Sequence, residues 1–205
     1  METKALYSIS CGLYLVATRS DGRDNACITN TAMQVTAGSS PELVISIAKA
    51  NLTHDMLLQS GVLQLSAISE AASFPLFERF GYRSGRDGDK FSGFDGAYRD
   101  PTSACMALNA ELASATFSCR VTDTMDFPTH TLFRVTVTDG YVLSDTPPCT
   151  YGYYQANIKP KPAEKKNDQP IWRCTVCGYE YVGEELPADY ICPLCKHPAS
   201  DFERV

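Results

Sequence analysis

Four cysteines near the end of the chain fall in two Cys-x-x-Cys pairs, Cys174 with Cys177 and Cys192 with Cys195, with fourteen residues between the pairs. Each such knuckle can turn two sulfurs toward one point, and two knuckles complete a tetrahedron about a single metal ion. Tetrahedral sulfur suits zinc and iron alike, and spacing alone favours zinc, the common staple of small ribbons. His197 is surplus to a filled shell and is read as a surface residue. The other five cysteines (Cys11, Cys27, Cys105, Cys119, Cys149) have no paired spacing, which argues against a secreted disulfide framework and for reduced, mostly buried small hydrophobes.

A second cluster lies at Val44 to His54. A strand ends, Ala48 and Lys49 follow, and Asn51 and Thr53 stand where a helix begins. Helix-start amides beside a lysine and short polar side chains can hold one phosphate, although Asn51 and Thr53 could equally be plain caps. Neither Gly-x-Gly-x-x-Gly nor a Walker loop occurs, so a doubly wound dinucleotide domain is not expected.

Around the four thiolates, Trp172-Arg-Cys-Thr-Val-Cys-Gly-Tyr179, Leu186-Pro-Ala-Asp-Tyr-Ile-Cys-Pro-Leu-Cys195 and Asp201-Phe-Glu203 closely resemble rubredoxin, the single-iron electron carrier. This resemblance reverses the preference from zinc to iron. The stretch between the knuckles is shorter than in free-standing rubredoxins and looks more like the version carried by rubrerythrins. Gly178 permits a tight turn that aims amides at sulfur, and Trp172, Tyr179, Tyr181, Tyr190 and Phe202 can form a small dry shell.

The earlier part of the chain carries a further resemblance, on the segments Asn25 to Thr36, Ala48 to His54, Phe80-Gly-Tyr-Arg83-Ser-Gly85-Arg86-Asp-Gly-Asp-Lys90-Phe91-Ser-Gly93 and Thr129-His130-Thr-Leu-Phe133. In that order they are similar to the flavin reductase-like family, an FMN-binding split β-barrel that is usually a homodimer. The resemblance implies Thr29, Asn30, Thr31 and Gln34 along the flavin ring and ribityl chain. Ala48, Lys49, Asn51 and Thr53 would hold the phosphate. Arg86, Lys90 and His130 become candidates for the side that receives NADH or NADPH, where cations meet pyrophosphate or a reduced flavin anion. Relatives often have Gly-Asp before this histidine, whereas Pro128-Thr129 precede it here.

These groups must be positioned by two modules. Lys159 to Pro170 has three prolines and four lysines with almost nothing to bury, so it reads as an extended linker of twelve residues reaching roughly 37 Å. Residues 1–158 form the first domain and 171–205 the second. In the first, Leu13–Thr18, Leu43–Ile47, Val62–Ile68, Ala115–Val121 and Leu132–Val137 read as mainly period-two strands of a barrel or sandwich. One short helix is expected after Asn51 or Thr53, closing at Gly61, and another from Ser73 through Phe80, closing at Gly81.

The net charge of −6, with no long basic block, makes nucleic acid and anionic membranes poor partners. The longest apolar runs are strand-sized and Met1-Glu2-Thr3-Lys4 lacks a signal core, so a soluble cytoplasmic protein is expected. Together the two resemblances imply the flavin reductase–rubredoxin fusions of anaerobes. Electrons would run from NAD(P)H to FMN, to Fe(Cys)₄, then to an acceptor such as a flavodiiron oxygen or nitric oxide reductase. Two other readings stay open: a reductase releasing reduced flavin, and a non-redox barrel with a zinc ribbon.

Overall fold

The structure, a computed structural model, describes residues 9, 11–160 and 170–205. The chain divides into two compact units, Met1–Ile158 and Lys159–Val205. Residues 161–169 of the expected Pro/Lys linker lie outside the described residues.

The first unit is a seven-stranded antiparallel sheet in the order β2-β1-β5-β8-β9-β4-β3. Its strands are β1 (Tyr14–Ser20), β2 (Arg23–Thr29), β3 (Ala32–Gln34), β4 (Glu42–Ala48), β5 (Val62–Ile68), β8 (Ala113–Asp126) and β9 (His130–Val142). Although consecutive in the chain, β2 and β3 are the two edges, so the sheet curls into a barrel that stays split between them. The Thr29 hydroxyl donates to the Ser46 carbonyl on β4 (2.9 Å), and the Ser46 amide donates to the Thr31 carbonyl (3.0 Å), drawing the edges together at one end.

Each expected strand is present, but simple alternation does not describe them. Leu15 and Ala17 pack in one core and Val16 in a second, so β1 is buried on both faces. The interior core gathers Val16, Ile45, Ile47, Leu57, Leu65 and Phe133; the outer core gathers Leu15, Leu76, Phe77, Phe80 and Tyr154. Each fully buried side chain of this size contributes about 1.5–3 kcal/mol.

The helix α1 (Leu52–Ser60) starts after Asn51 in extended conformation and ends at Gly61, whose φ of 65° is the left-handed closure that glycine adopts freely. Its Leu57 fills the barrel interior. Ser73 precedes α2 (Phe74–Phe77), with Pro75 in the first turn, and the helix continues as a wider π turn, Glu78–Tyr82, past the expected stop at Gly81. A small hairpin, β6 (Ala97–Arg99) with β7 (Met106–Leu108), covers the sheet, and α3 (Tyr151–Tyr153) leads into a second π turn to Ile158.

The second unit is a three-stranded sheet, β11-β10-β12, from β10 (Ile171–Cys174), β11 (Glu180–Val182) and β12 (Phe202–Arg204). Among the described residues no helix is long and apolar enough to cross a membrane.

Candidate functional site

The two knuckles of the second unit are built alike. Gly178 (φ 74°) and Lys196 (φ 62°) each follow the second cysteine of a pair and turn left-handed. The Gly178 amide donates to the Cys174 carbonyl and the Lys196 amide to the Cys192 carbonyl, both at 2.9 Å. In return the Cys174 and Cys192 amides donate to the Tyr179 and His197 carbonyls, both at 2.8 Å.

The four Sγ atoms lie within 4.8 Å of one another, with Cys174–Cys195 and Cys177–Cys192 at 3.5 Å. Four sulfurs bonded at about 2.3 Å to one ion in a tetrahedron stand ~3.8 Å apart, so the set fits a metal. Burial pushes the Cys177 thiol up to about 12 and raises Cys195 as well. On Cys174 burial acts the same way, but hydrogen bonds from the Cys177 and Val176 amides and from the Cys195 and Cys177 side chains together outweigh it and hold the thiol below its ordinary value. Four buried sulfurs so close together need a cation to stay ionised, and the amides soften the charge that remains. His197 stays outside the set, half-buried with Nδ1 on the Cys195 carbonyl (3.1 Å). Tyr190 packs between Tyr181 and Phe202 (4.7 and 5.5 Å), and Trp172 donates to the Gly183 carbonyl, forming the expected aromatic shell.

In the first unit a partly open cleft of about 250 Å³ lies at the split, where β2 and β4 end and α1 begins. Thr29, Asn30, Ala48, Asn51 and His130, singled out from the sequence, all line it. His130 gets there because it is the first residue of β9, paired with Ala48. Its Nδ1 meets the Thr129 hydroxyl at 2.9 Å. Ile28, Ile47, Phe77 and Tyr82 supply apolar wall. Apolar walls, a polar edge and a helix start are what a planar ring system with a phosphate tail requires, so these residues fit a flavin.

Other sequence candidates lie elsewhere. Lys49, beside the cleft, pairs with Asp126 at 2.8 Å. Thr53 is buried and its hydroxyl accepts from the Asn25 amide (2.9 Å), so it braces α1 on β2. Thr31 and Gln34 are exposed, the first donating to the Asn30 side chain and the second to the Thr36 carbonyl. Arg86 pairs with Asp55 at 2.6 Å. Lys90 is buried, its ammonium donating to the Ala26 and Phe80 carbonyls (3.0 and 3.2 Å), and burial lowers it from its ordinary value. It sits behind the cleft wall rather than on a solvent-facing flap.

Sequence reasoning missed the aromatic side of the cleft. Tyr154 packs against Phe77 at 4.5 Å with the rings tilted by 40°, and its hydroxyl meets that of Tyr82 at 2.7 Å, with Tyr151 alongside. The Tyr-Gly-Tyr-Tyr run at 151–154, just ahead of the proline-rich segment, was the available signal.

Comparison with known proteins agrees with this pair of sites. The family described as flavin reductase like domain matches residues 6–161, and rubrerythrin, rubredoxin-like domain matches 172–203. The chain is 31% identical to a high molecular weight rubredoxin of Moorella thermoacetica, with 100% of each chain covered. It is 33% identical to a ferric-chelate reductase (NAD(P)H) of Archaeoglobus fulgidus, covering 78% of this chain and 93% of that one. The FMN-binding protein of Thermus thermophilus, solved with 1-cyclohex-2-enone, shares the fold at a TM-score of 0.58 and 21% identity, covering 86% of this chain and 89% of that one.

This is therefore an oxidoreductase of split-barrel type that carries a second, metal-binding module. The chain belongs to the flavin reductase-like family, here joined to a rubredoxin-like domain, and its cofactors are a flavin and an iron held by four cysteines.

Proposed function

We propose that the chain takes hydride equivalents from NADH or NADPH on FMN and passes them as single electrons through Fe(Cys)₄ to an external protein acceptor, such as a flavodiiron oxygen or nitric oxide reductase. The observation that carries this reading is the presence, in one chain, of a ring-and-phosphate cleft and a buried four-sulfur centre. FMN supplies two-electron acceptance with one-electron release, and the iron supplies a one-electron site. The relatives support the donor end, since one carries NAD(P)H in its name.

In this reading Ile28, Ile47, Phe77 and Tyr82 bracket the ring, while Thr29 and Asn30 meet its polar edge. The start of α1, with Ala48, Asn51 and Lys49, holds the phosphate. His130 stands at the cleft where a nicotinamide would approach, and a homodimer in solution accompanies this arrangement.

The test is anaerobic rapid mixing of purified protein with NADH or NADPH, following flavin and iron bleaching separately. Flavin bleaches first and iron follows. A colourless, zinc-only protein indifferent to dithionite would end the reading. For Lys49→Ala, the loss of one charge-assisted contact weakens FMN by about tenfold and leaves riboflavin, which lacks the phosphate, unchanged. Equal affinities of wild type and variant for FMN would remove Lys49 from the socket.

A further inference from the structure

A continuous hydrogen-bonded chain joins Lys49 to Arg86 through the protein interior. Lys49 Nζ donates to Asp126 Oδ2 (2.8 Å), and Thr131 Oγ1 donates to Asp126 Oδ1 (2.8 Å). His54 Nε2 meets the same Thr131 oxygen at 2.9 Å, and His54 Nδ1 meets Asp55 Oδ1 at 3.0 Å. Asp55 Oδ2 then accepts from Arg86 at 2.6 Å. The two ends are open to solvent, while His54 and Thr131 in the middle are only 6% and 2% exposed.

The pattern of donors surrounds the imidazole with acceptors. Hydrogen bonds from Arg86 and His54 hold the Asp55 carboxyl below its ordinary value, and those from Lys49 and Thr131 do the same for Asp126. An ionised carboxylate only accepts, and the single hydroxyl hydrogen of Thr131 is given to Asp126. Each ring nitrogen of His54 thus faces an oxygen with no hydrogen left to give it, Nδ1 the Asp55 carboxylate and Nε2 the Thr131 hydroxyl. The ring lies edge-on to Phe133 at 5.8 Å.

We propose that His54 is a positioning residue for the phosphate socket: its buried charge, acting through Thr131, offsets Asp126 and so leaves the Lys49 ammonium able to bind the phosphate of a flavin mononucleotide. This rests on the reading that places FMN phosphate at Lys49. With His54 charged, three cations (Lys49, His54, Arg86) alternate with two anions (Asp126, Asp55), and the chain delivers one net positive charge beside the start of α1. Without it, Asp126 both neutralises Lys49 and repels the phosphate. His130 is paired with Ala48 at the socket but bonds Thr129, outside the chain.

The test compares FMN with riboflavin binding to flavin-free full-length protein, so that the ratio of the two affinities isolates the phosphate. His54→Gln lowers that ratio about tenfold with riboflavin affinity unchanged, a charge effect of the size seen for charge-assisted contacts. Thr131→Val, which keeps His54 but cuts the link, gives the same loss and covers the case in which the histidine variant does not fold. Adding Asp126→Asn to His54→Gln restores the ratio, because Lys49 no longer faces a carboxylate. Long-range ¹H–¹⁵N spectra of the wild type show both His54 nitrogens protonated. FMN and riboflavin weakened equally, no restoration by Asp126→Asn, or a singly protonated ring would each overturn the proposal. Should Lys49→Ala leave the ratio intact, the socket itself is misplaced and this inference falls with it. A Lys49 effect without a His54 effect overturns the inference alone.

Discussion

On the proposed electron route, replacing Cys192 with serine leaves reduction of the flavin by NAD(P)H at its wild-type rate and abolishes rapid transfer onward, by at least ~100-fold. Even loss of an outer partner of a metal ligand costs about 10–100-fold in affinity or activity, and here a ligand itself goes. A serine oxygen is a poor substitute for thiolate in a soft four-sulfur set. Cys192 also anchors the knuckle through its amide on the His197 carbonyl and its carbonyl under the Lys196 amide, so disturbance of the metal spreads along the backbone. The surrounding sheet has strands of only 4, 3 and 3 residues, and so small a unit depends on its metal for folding. Stopped-flow absorbance under argon separates the two steps, since flavin and iron bleach at different wavelengths. Undiminished delivery to the acceptor by the variant would show that electrons leave directly from the flavin.

How far the sequence could be read depended on how local each signal is. The four-sulfur centre was fully legible, because a Cys-x-x-Cys knuckle is closed by bonds within a few residues. Ala48 and Asn51, at a strand end and a helix start, could be picked out locally, whereas Thr29 and Asn30 came from the family resemblance; all four line the cleft. Lys90 was not: its partners, the Ala26 and Phe80 carbonyls, meet it only after β2 and the π turn pack together, and a Gly- and Asp-rich neighbourhood suggests solvent. Gln64 and Ser66 alternate with Leu63 and Leu65 along β5, yet all four are buried. The β6–β7 hairpin and its loop cover that face, and Gln64 there bonds Thr116 (2.7 Å), Ser103 (2.7 Å) and Ser118 (2.9 Å). Polar residues buried by a distant segment carry no periodic signature, and neither does the His54 chain, whose Asp126 ends β8 opposite Thr131 near the start of β9.

The same long-range packing predicts that Phe133→Ala destabilises the first unit by about 3–5 kcal/mol, which for a domain of this size lowers its melting temperature by about 10 °C. Phe133 is fully buried on β9, opposite Ile45 on β4 and Thr124 on β8, within the interior core. Truncation leaves a cavity beneath α1, lined by Val16, Leu57 and Leu65. The damage should stay on one side of the chain: calorimetry shows the first-unit transition displaced while the visible absorbance of the iron centre melts where it does in the wild type, since Phe133 belongs to the other compact unit. Phe133→Leu keeps most of the volume and costs less than about 1.5 kcal/mol. Because the ring also supports His54 edge-on, the alanine variant loses affinity for FMN more than for riboflavin, whereas the leucine variant keeps the ratio of the two nearer to the wild type. An alanine variant that melts with the wild type would mean that Phe133 is not part of the barrel's interior core.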